Sequence, residues 1–355
     1  MTFDKRQTNI AKGVAVLLLL WHHLFFNSPD NYSLFNSLLS IKGIPAESFF
    51  ADFCKVCVAV FLVLSGYGLH KSWENYCTRI IRGGNNRLNI KDQFLFVKRH
   101  LLKLMFGFWF VYIVFVPLSI WFGTPFWEVY QNNIGYGVLD FLGVAFLFGT
   151  PSINATWWFM SPIIVYYLIF PLLEKLLGYC GELLLSVAAV VLFVPVFYRI
   201  PGQISIWLFS FVLGMYLSKN SLLEKLNTKI DTYPKKMITV ACALIVTALI
   251  RMNNSDFDAM FAVSIILASY FLLSRIPILN VILEHLGKHS GPIFMFHTFI
   301  FSLYFKDFIY WFKYPPIIFL VLTVICYVIA VGLEYLKKLI RYDKLINLLI
   351  SKVKG

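Results

Sequence analysis

Long apolar runs, parted by short and mostly basic stretches, organise this chain of 355 residues. The runs fall at 10–27, 50–70, 104–122, 156–174, 182–198, 203–218, 237–250, 258–274, 290–305 and 316–336. Within each the apolar residues are continuous rather than alternating, which predicts helices and argues against the strands of a membrane barrel. Most approach the ~20 residues that a helix needs to cross a bilayer. A further apolar stretch, 138–149, is short.

Charge settles the reading of that stretch. Segment 71–103 carries Lys71, Arg79, Arg82, Arg87, Lys91, Lys98, Arg99 and Lys103; segment 219–236 carries further lysines; and the tail carries Lys337, Lys338, Arg341, Lys344, Lys352 and Lys354. Cytoplasmic loops collect Lys and Arg. All three basic segments fall inside when 138–149 is re-entrant or interfacial, whereas a full crossing there would put the last two outside. The fold expected is therefore all-α: a polytopic transmembrane helix bundle of about ten crossings with both termini cytoplasmic. A membrane-embedded domain spans 1–337, and 338–355 forms a basic cytoplasmic tail. The loop 123–137, with Glu128 and no Lys or Arg, suits the outer side.

Composition agrees. The chain is 59% hydrophobic and 18% aromatic, with a mean hydropathy of +0.74. Only 14% of residues are charged, against about 25% in soluble domains. The net charge of +13 can mean nucleic-acid binding, but its placement between apolar runs points to membrane lipids as the partner instead. Cys54-x-x-Cys57 has redox or zinc spacing without a second pair nearby, and reads as two small residues of a membrane helix. Neither a disulfide framework nor a metal site is expected. Lys5, Arg6 and Lys12 precede an apolar run that no small-residue cleavage site follows, so the first helix is expected to stay as an anchor. Gly83-Gly84-Asn85-Asn86 marks a turn in the longest polar loop, and the basic, amphipathic stretch Phe94 to Lys103 is expected to lie along the inner surface. No internal repeat stands out, which weighs against an inverted-repeat transporter.

The first run carries the candidate chemistry: Lys12 at its start, then Trp21, His22 and His23 near its end. Ionisable side chains inside a membrane segment are costly, and functional by default. His23 follows Lys12 by 11 residues, about three helical turns, which places the two on nearly one face and ~16 Å apart along the axis. Such a helix can serve chemistry that joins the two sides of the membrane. Lys12 can meet the phosphates of a cytoplasmic donor or simply snorkel to the inner surface. His23 suits a general base, or a histidine hydrogen-bonded at the outer interface. His22 points about 100° away and can pair with a neighbouring helix. Ser65 can be read as a nucleophile, but Ser65-Gly66 better suits close helix packing. Trp157 and Trp158 suit an outer aromatic belt or a platform for stacking a sugar.

These segments resemble the integral-membrane acyltransferase family 3. Its opening motif is an arginine followed by Gly-Ile-Ala, with a histidine 11 residues after the arginine; Lys12-Gly13-Val14-Ala15 and His23 stand at those positions. Lysine keeps the charge but loses the bidentate fork. Val60 to Tyr67 is similar to the family's Phe-Leu-Ser-Gly-Phe pattern. Phe96, Arg99 and Lys103, leading to Trp109, resemble its basic entry into the third helix, with His100 and Lys103 replacing arginines and Phe106 standing where proline is common. Trp157-Trp158-Phe159-Met160-Ser161 through Tyr167 to Pro171 resembles another segment, though Pro162-Ile163 replaces its acidic pair. Phe211 to Met215 resembles the Phe-x-x-Gly-Met helix, and Leu286-Gly287-Lys288 to His297 the Leu-Gly-Lys-x-Ser to Tyr-Leu-Trp-His motif.

The resemblance implies an O-acyltransferase of the bacterial cytoplasmic membrane. It would move an acyl group, acetyl by default, from cytoplasmic acyl-CoA to a hydroxyl of an extracytoplasmic or lipid-linked glycan. Lys12, Arg99 and Lys103 would hold the nucleotide end of acyl-CoA. His23 would act as base or briefly carry the acyl group. His297, in a helix oriented in-to-out, can either converge with His23 in a central cavity or be a packed histidine bonded to a carbonyl, and His22 adjoins His23 as a further candidate. A partner protein or a homo-oligomer is left open. The competing class is an exporter of a lipid or glycan that uses Lys12 and His23 as a charge relay.

Overall fold

A computed structural model describes residues 2–26, 29–37, 39–82, 89–194 and 202–352. The turn expected at Gly83-Gly84-Asn85-Asn86, the cation Arg87, the end of the 182–198 run and Lys354 lie outside the described residues. The first half of the chain gives α1 (Lys5–Phe25), α2 (Ala46–Cys54), α3 (Cys57–Arg82), α4 (Ile90–Trp121), the short α5 (Phe126–Val129) and α6 (Ile134–Phe141), and then α7 (Met160–Phe193). The second half gives α8 (Gly202–Lys219), α9 (Leu222–Lys229), α10 (Tyr233–Asn253), α11 (Asp258–Phe271), α12 (Pro277–Lys288), α13 (Ser290–Thr298), α14 (Lys306–Trp311), α15 (Pro315–Leu339) and α16 (Tyr342–Lys352). The strand content among the described residues is one two-stranded ladder, Ser40–Ile41 with Ile44–Pro45. The protein is thus predominantly helical, as an apolar medium requires when every backbone group must find its partner internally.

Local signals start the helices. The Asp4 side chain accepts from Gln7 N at 3.0 Å and caps α1. Asn89 and Asp92 form a reciprocal capping box on α4. Prolines open α10, α12 and α15, where a missing N–H costs nothing. The stretch expected to lie along the inner surface is instead the first part of α4, which runs unbroken to Trp121, with Phe96 and Val97 buried. Helix α3 likewise continues through most of the basic segment to Arg82.

Among the described residues, seven helical segments are long and apolar enough to cross a membrane: Lys5–Phe25, Ala46–Arg82, Ile90–Trp121, Ala155–Phe193, Tyr233–Asn253, Ser255–Arg275 and Pro315–Leu339. The bent pair Ile204–Lys219 and Leu222–Lys229, at 59°, makes an eighth if it is one span. The count differs from the sequence reading for two physical reasons. Runs 156–174 and 182–198 join in α7, which breaks at Cys180 (φ −154°, ψ 89°). Run 290–305 divides between α13, of 9 residues, and a six-residue π-helix, Phe299–Tyr304. Stretch 138–149 does not cross: its helix α6 has 8 residues, about 12 Å against a ~30 Å hydrocarbon core.

Apolar side chains face both ways. On α15, Ile318, Leu322, Cys326 and Ala330 are buried, while Leu320, Val324 and Val328 form an exposed apolar stripe. A helix that is hydrophobic all round belongs to a membrane. Glycines set two close helix crossings. A Cβ on Gly13 would lie 2.1 Å from Leu283 O, and one on Gly287 would lie 1.8 Å from Asn9 O. A Cβ on Gly66 would lie 2.0 Å from Phe211 O, and one on Gly214 would lie 2.0 Å from Val63 O. Helices α1 and α12, and α3 and α8, therefore meet backbone to backbone through reciprocal glycines, as small residues allow in membranes. The Gly66 contact bears out the packing reading of Ser65-Gly66.

Candidate active site

Successive residues of α1 are turned by about 100°, so Trp21, His22 and His23 meet three different neighbours. Trp21 Nε1 donates to Glu47 O at 3.3 Å, and its ring packs on Phe50 and Phe319. His22 Nδ1 donates to Ala51 O at 2.7 Å; a carbonyl only accepts, so the hydrogen sits on Nδ1. His22 thereby ties α1 to α2, the pairing expected of it. His23 is half-buried, and no hydrogen bond joins either ring nitrogen to a described residue. Its ring lies 4.9 Å from His22 and 4.8 Å from His297, centroid to centroid.

His297 is fully buried in the last turn of α13. Its Nδ1–H is shared by Ile293 O and Phe294 O, each at 3.0 Å. Two carbonyl partners fix the tautomer, so Nε2 carries the lone pair. That buried Nε2 has no hydrogen-bond partner among the described residues. Phe301 stacks on the His297 ring at 6.2 Å and also lies 6.2 Å from His23. Three histidine rings and an aromatic lid thus converge from α1, α13 and the π-helix. Among the described residues, no three His, Cys, Asp or Glu side chains gather as a metal site.

The expected cations are placed apart from this cluster. Lys12 is half-buried beside the α1–α12 glycine crossing, and no ion pair joins it to a described residue. Arg99 lies on α4 with its guanidinium 5.9 Å from the Tyr76 ring and a buried Nε that has no partner among the described residues. Lys103 is exposed one turn further on. Neither α4 cation contacts Lys12 through a hydrogen bond or ring contact among the described residues. His100, standing where the family has arginine, turns inward to Phe96 O at 3.0 Å.

The tryptophan pair does not form an outer belt. Trp157 is 3% exposed and donates from Nε1 to Met295 O at 2.8 Å, and Trp158 stacks on Trp207. Cys54 and Cys57 flank the break between α2 and α3 as buried free thiols. Several polar contacts escaped the sequence reading. His70 Nδ1 and Glu174 Oε2 lie 2.9 Å apart, bridging α3 and α7. Arg251 binds Asp258 at 2.5 Å and Asp52 at 3.3 Å, and its guanidinium lies 4.9 Å from the Phe53 ring. The available signal was positional: His70 and Glu174 are the last residues of their apolar runs, and Arg251 and Asp258 bracket a turn between two others.

A family model described as an acyltransferase domain matches residues 7–335. No curated protein and no solved structure matches the chain. The matched region contains Lys12, His23, Arg99, Lys103 and His297, and an enzyme family takes the place of the exporter reading. The chain belongs to acyltransferase family 3 and is a membrane acyltransferase.

Proposed function

We propose that the protein moves an acyl group, acetyl first among them, from acyl-CoA to a hydroxyl of an extracytoplasmic or lipid-linked polysaccharide, with His23 as the base. One observation carries the reading. A half-buried histidine whose ring nitrogens meet no hydrogen-bond partner among the described residues lies beside a buried, tautomer-fixed histidine, at the opposite end of α1 from a half-buried lysine. His23 takes the proton of the acceptor hydroxyl as its oxygen attacks the thioester carbonyl. The C–S bond then breaks, and the protonated histidine returns the proton to the CoA thiolate. His297 orients the pair through Nε2. Lys12 serves the donor phosphates from within the membrane helix, with Arg99 and Lys103 at the basic end.

The same reading places the protein in the bacterial cytoplasmic membrane as a multi-pass protein with both termini inside. The two halves of α7 support separate passes: Trp158 stacks on Trp207, Leu177 O accepts from Lys219 Nζ, and Phe193 returns to Phe257. Purified protein in liposomes, given radiolabelled acetyl-, propionyl- and succinyl-CoA, tests the donor class. Release of free CoA with transfer of label to a glycan is expected. Failure to bind or consume any of the three would remove the assignment of donor.

A further inference from the structure

The carbonyl two residues before His297 is held in an unusual way. In a continuous α-helix Met295 O would accept from Phe299 N–H. Phe299 is the first residue of the π-helix, and its N–H turns to Phe296 O and His297 O. Phe299 N–H is thus not the partner of Met295 O. Trp157 Nε1 takes it at 2.8 Å, and Asn154 Nδ2 takes it at 3.2 Å.

Both donors are themselves fixed. Asn154 Oδ1 accepts from Thr156 N at 3.0 Å and from Thr156 Oγ1 at 2.7 Å, which leaves only Nδ2 to reach α13. Trp157 is wedged between Phe108, Tyr112 and Phe299. Thr298, the residue after His297, donates to Thr156 Oγ1 at 3.4 Å. Asn154, Thr156 and Trp157 are 2%, 3% and 3% exposed, so water does not substitute for these bonds. The turn Ala155–Phe159 therefore grips the junction on both sides of His297. Local widening of a helix into π geometry often marks a functional position, and here it is the junction that aims the His297 ring.

We infer that Asn154 and Trp157 are positioning residues: by holding Met295 O they fix the α-to-π junction that keeps the His297 ring beside His23. The inference rests on the proposed role of the histidine pair. It assigns the Trp-Trp segment a task other than stacking a sugar.

Trp157→Phe removes the donor and keeps the aromatic wedge; Asn154→Ala removes the second donor and serves if Trp157→Phe does not insert. Two readouts are needed. In enzyme labelled with 15N-histidine, the His297 ring resonances report its tautomer without any turnover. In steady-state assays of the same proteins, kcat separates from KM. A lost buried hydrogen bond at a reacting group predicts a fall in kcat of about tenfold, with KM for acyl-CoA unchanged and the His297 tautomer no longer single. The double variant should exceed either single one. An unchanged His297 spectrum in both variants would overturn the inference, as would unchanged kcat in an active enzyme. If the wild type turns over no donor, the catalytic reading fails, while the spectrum still decides whether Asn154 and Trp157 position His297.

Discussion

His297 presents its ring 4.8 Å from that of His23, although the two come from opposite ends of the chain. Both of its backbone partners lie on its own helix, so nothing but the tertiary fold accounts for the meeting. Replacing His297 with Ala should lower kcat by about tenfold to a hundredfold and leave the protein inserted, since general acid–base partners contribute on the order of 10²-fold. A matched comparison of kcat and thermal midpoint checks this. Loss of stability with full residual activity would make His297 a packing residue.

The glycine crossings give a stability prediction with an internal control. Gly13→Ala and Gly287→Ala each drive a methyl into a facing backbone, which has no rotamer to yield. Overpacking of this kind costs about 1–3 kcal/mol or more. Gly107→Ala and Gly291→Ala, with nothing within 4 Å of the new Cβ, should be neutral or slightly stabilising through helix propensity. Melting curves in detergent distinguish the two sets, and equal effects would remove the close-approach explanation.

Arg251 offers a third test. Its side chain is 2% exposed, and Asp258 beside it is 5% exposed. Arg251→Met leaves the Asp258 carboxylate buried without its cation, at a cost of about 3–5 kcal/mol. Adding Asp258→Leu should recover most of the loss. A double variant no more stable than Arg251→Met would mean that the pair is not the coupling unit.

Lys12 separates donor binding from chemistry. Lys12→Gln should raise KM for acyl-CoA by about tenfold, the scale of a lost charged hydrogen bond of ~1.5 kcal/mol. Lys12→Arg should retain most binding, because the charge persists and the guanidinium adds the fork. Isothermal titration with CoA measures this directly, and equal affinity in all three proteins would return Lys12 to a snorkelling role.

Much of the architecture was legible because apolar continuity and basic spacing act along the chain. Helices α10 and α15 contain runs 237–250 and 316–336 whole, and α1, α3, α4 and α11 cover the greater part of runs 10–27, 50–70, 104–122 and 258–274. The pairing of His23 with Lys12 on one helix face followed from helical period alone. What was not legible depended on distant partners. The break at Cys180 and the π-helix after Thr298 come from tertiary packing, so periodicity could not separate α7 or divide 290–305. Trp157 looked like an interfacial aromatic because its donor finds Met295 O only in the fold. His70 and Glu174 stand at run ends, where a polar residue ordinarily meets headgroups, and only the fold brings them together.

The most direct measurement of the central claim compares wild type with His23→Ala in liposomes, using acetyl-CoA labelled in the acetyl group and a glycan acceptor. The wild type should release CoA and transfer label, and the variant should bind CoA with similar affinity yet transfer nothing. A stably inserted His23→Ala protein with full transfer activity would contradict that claim.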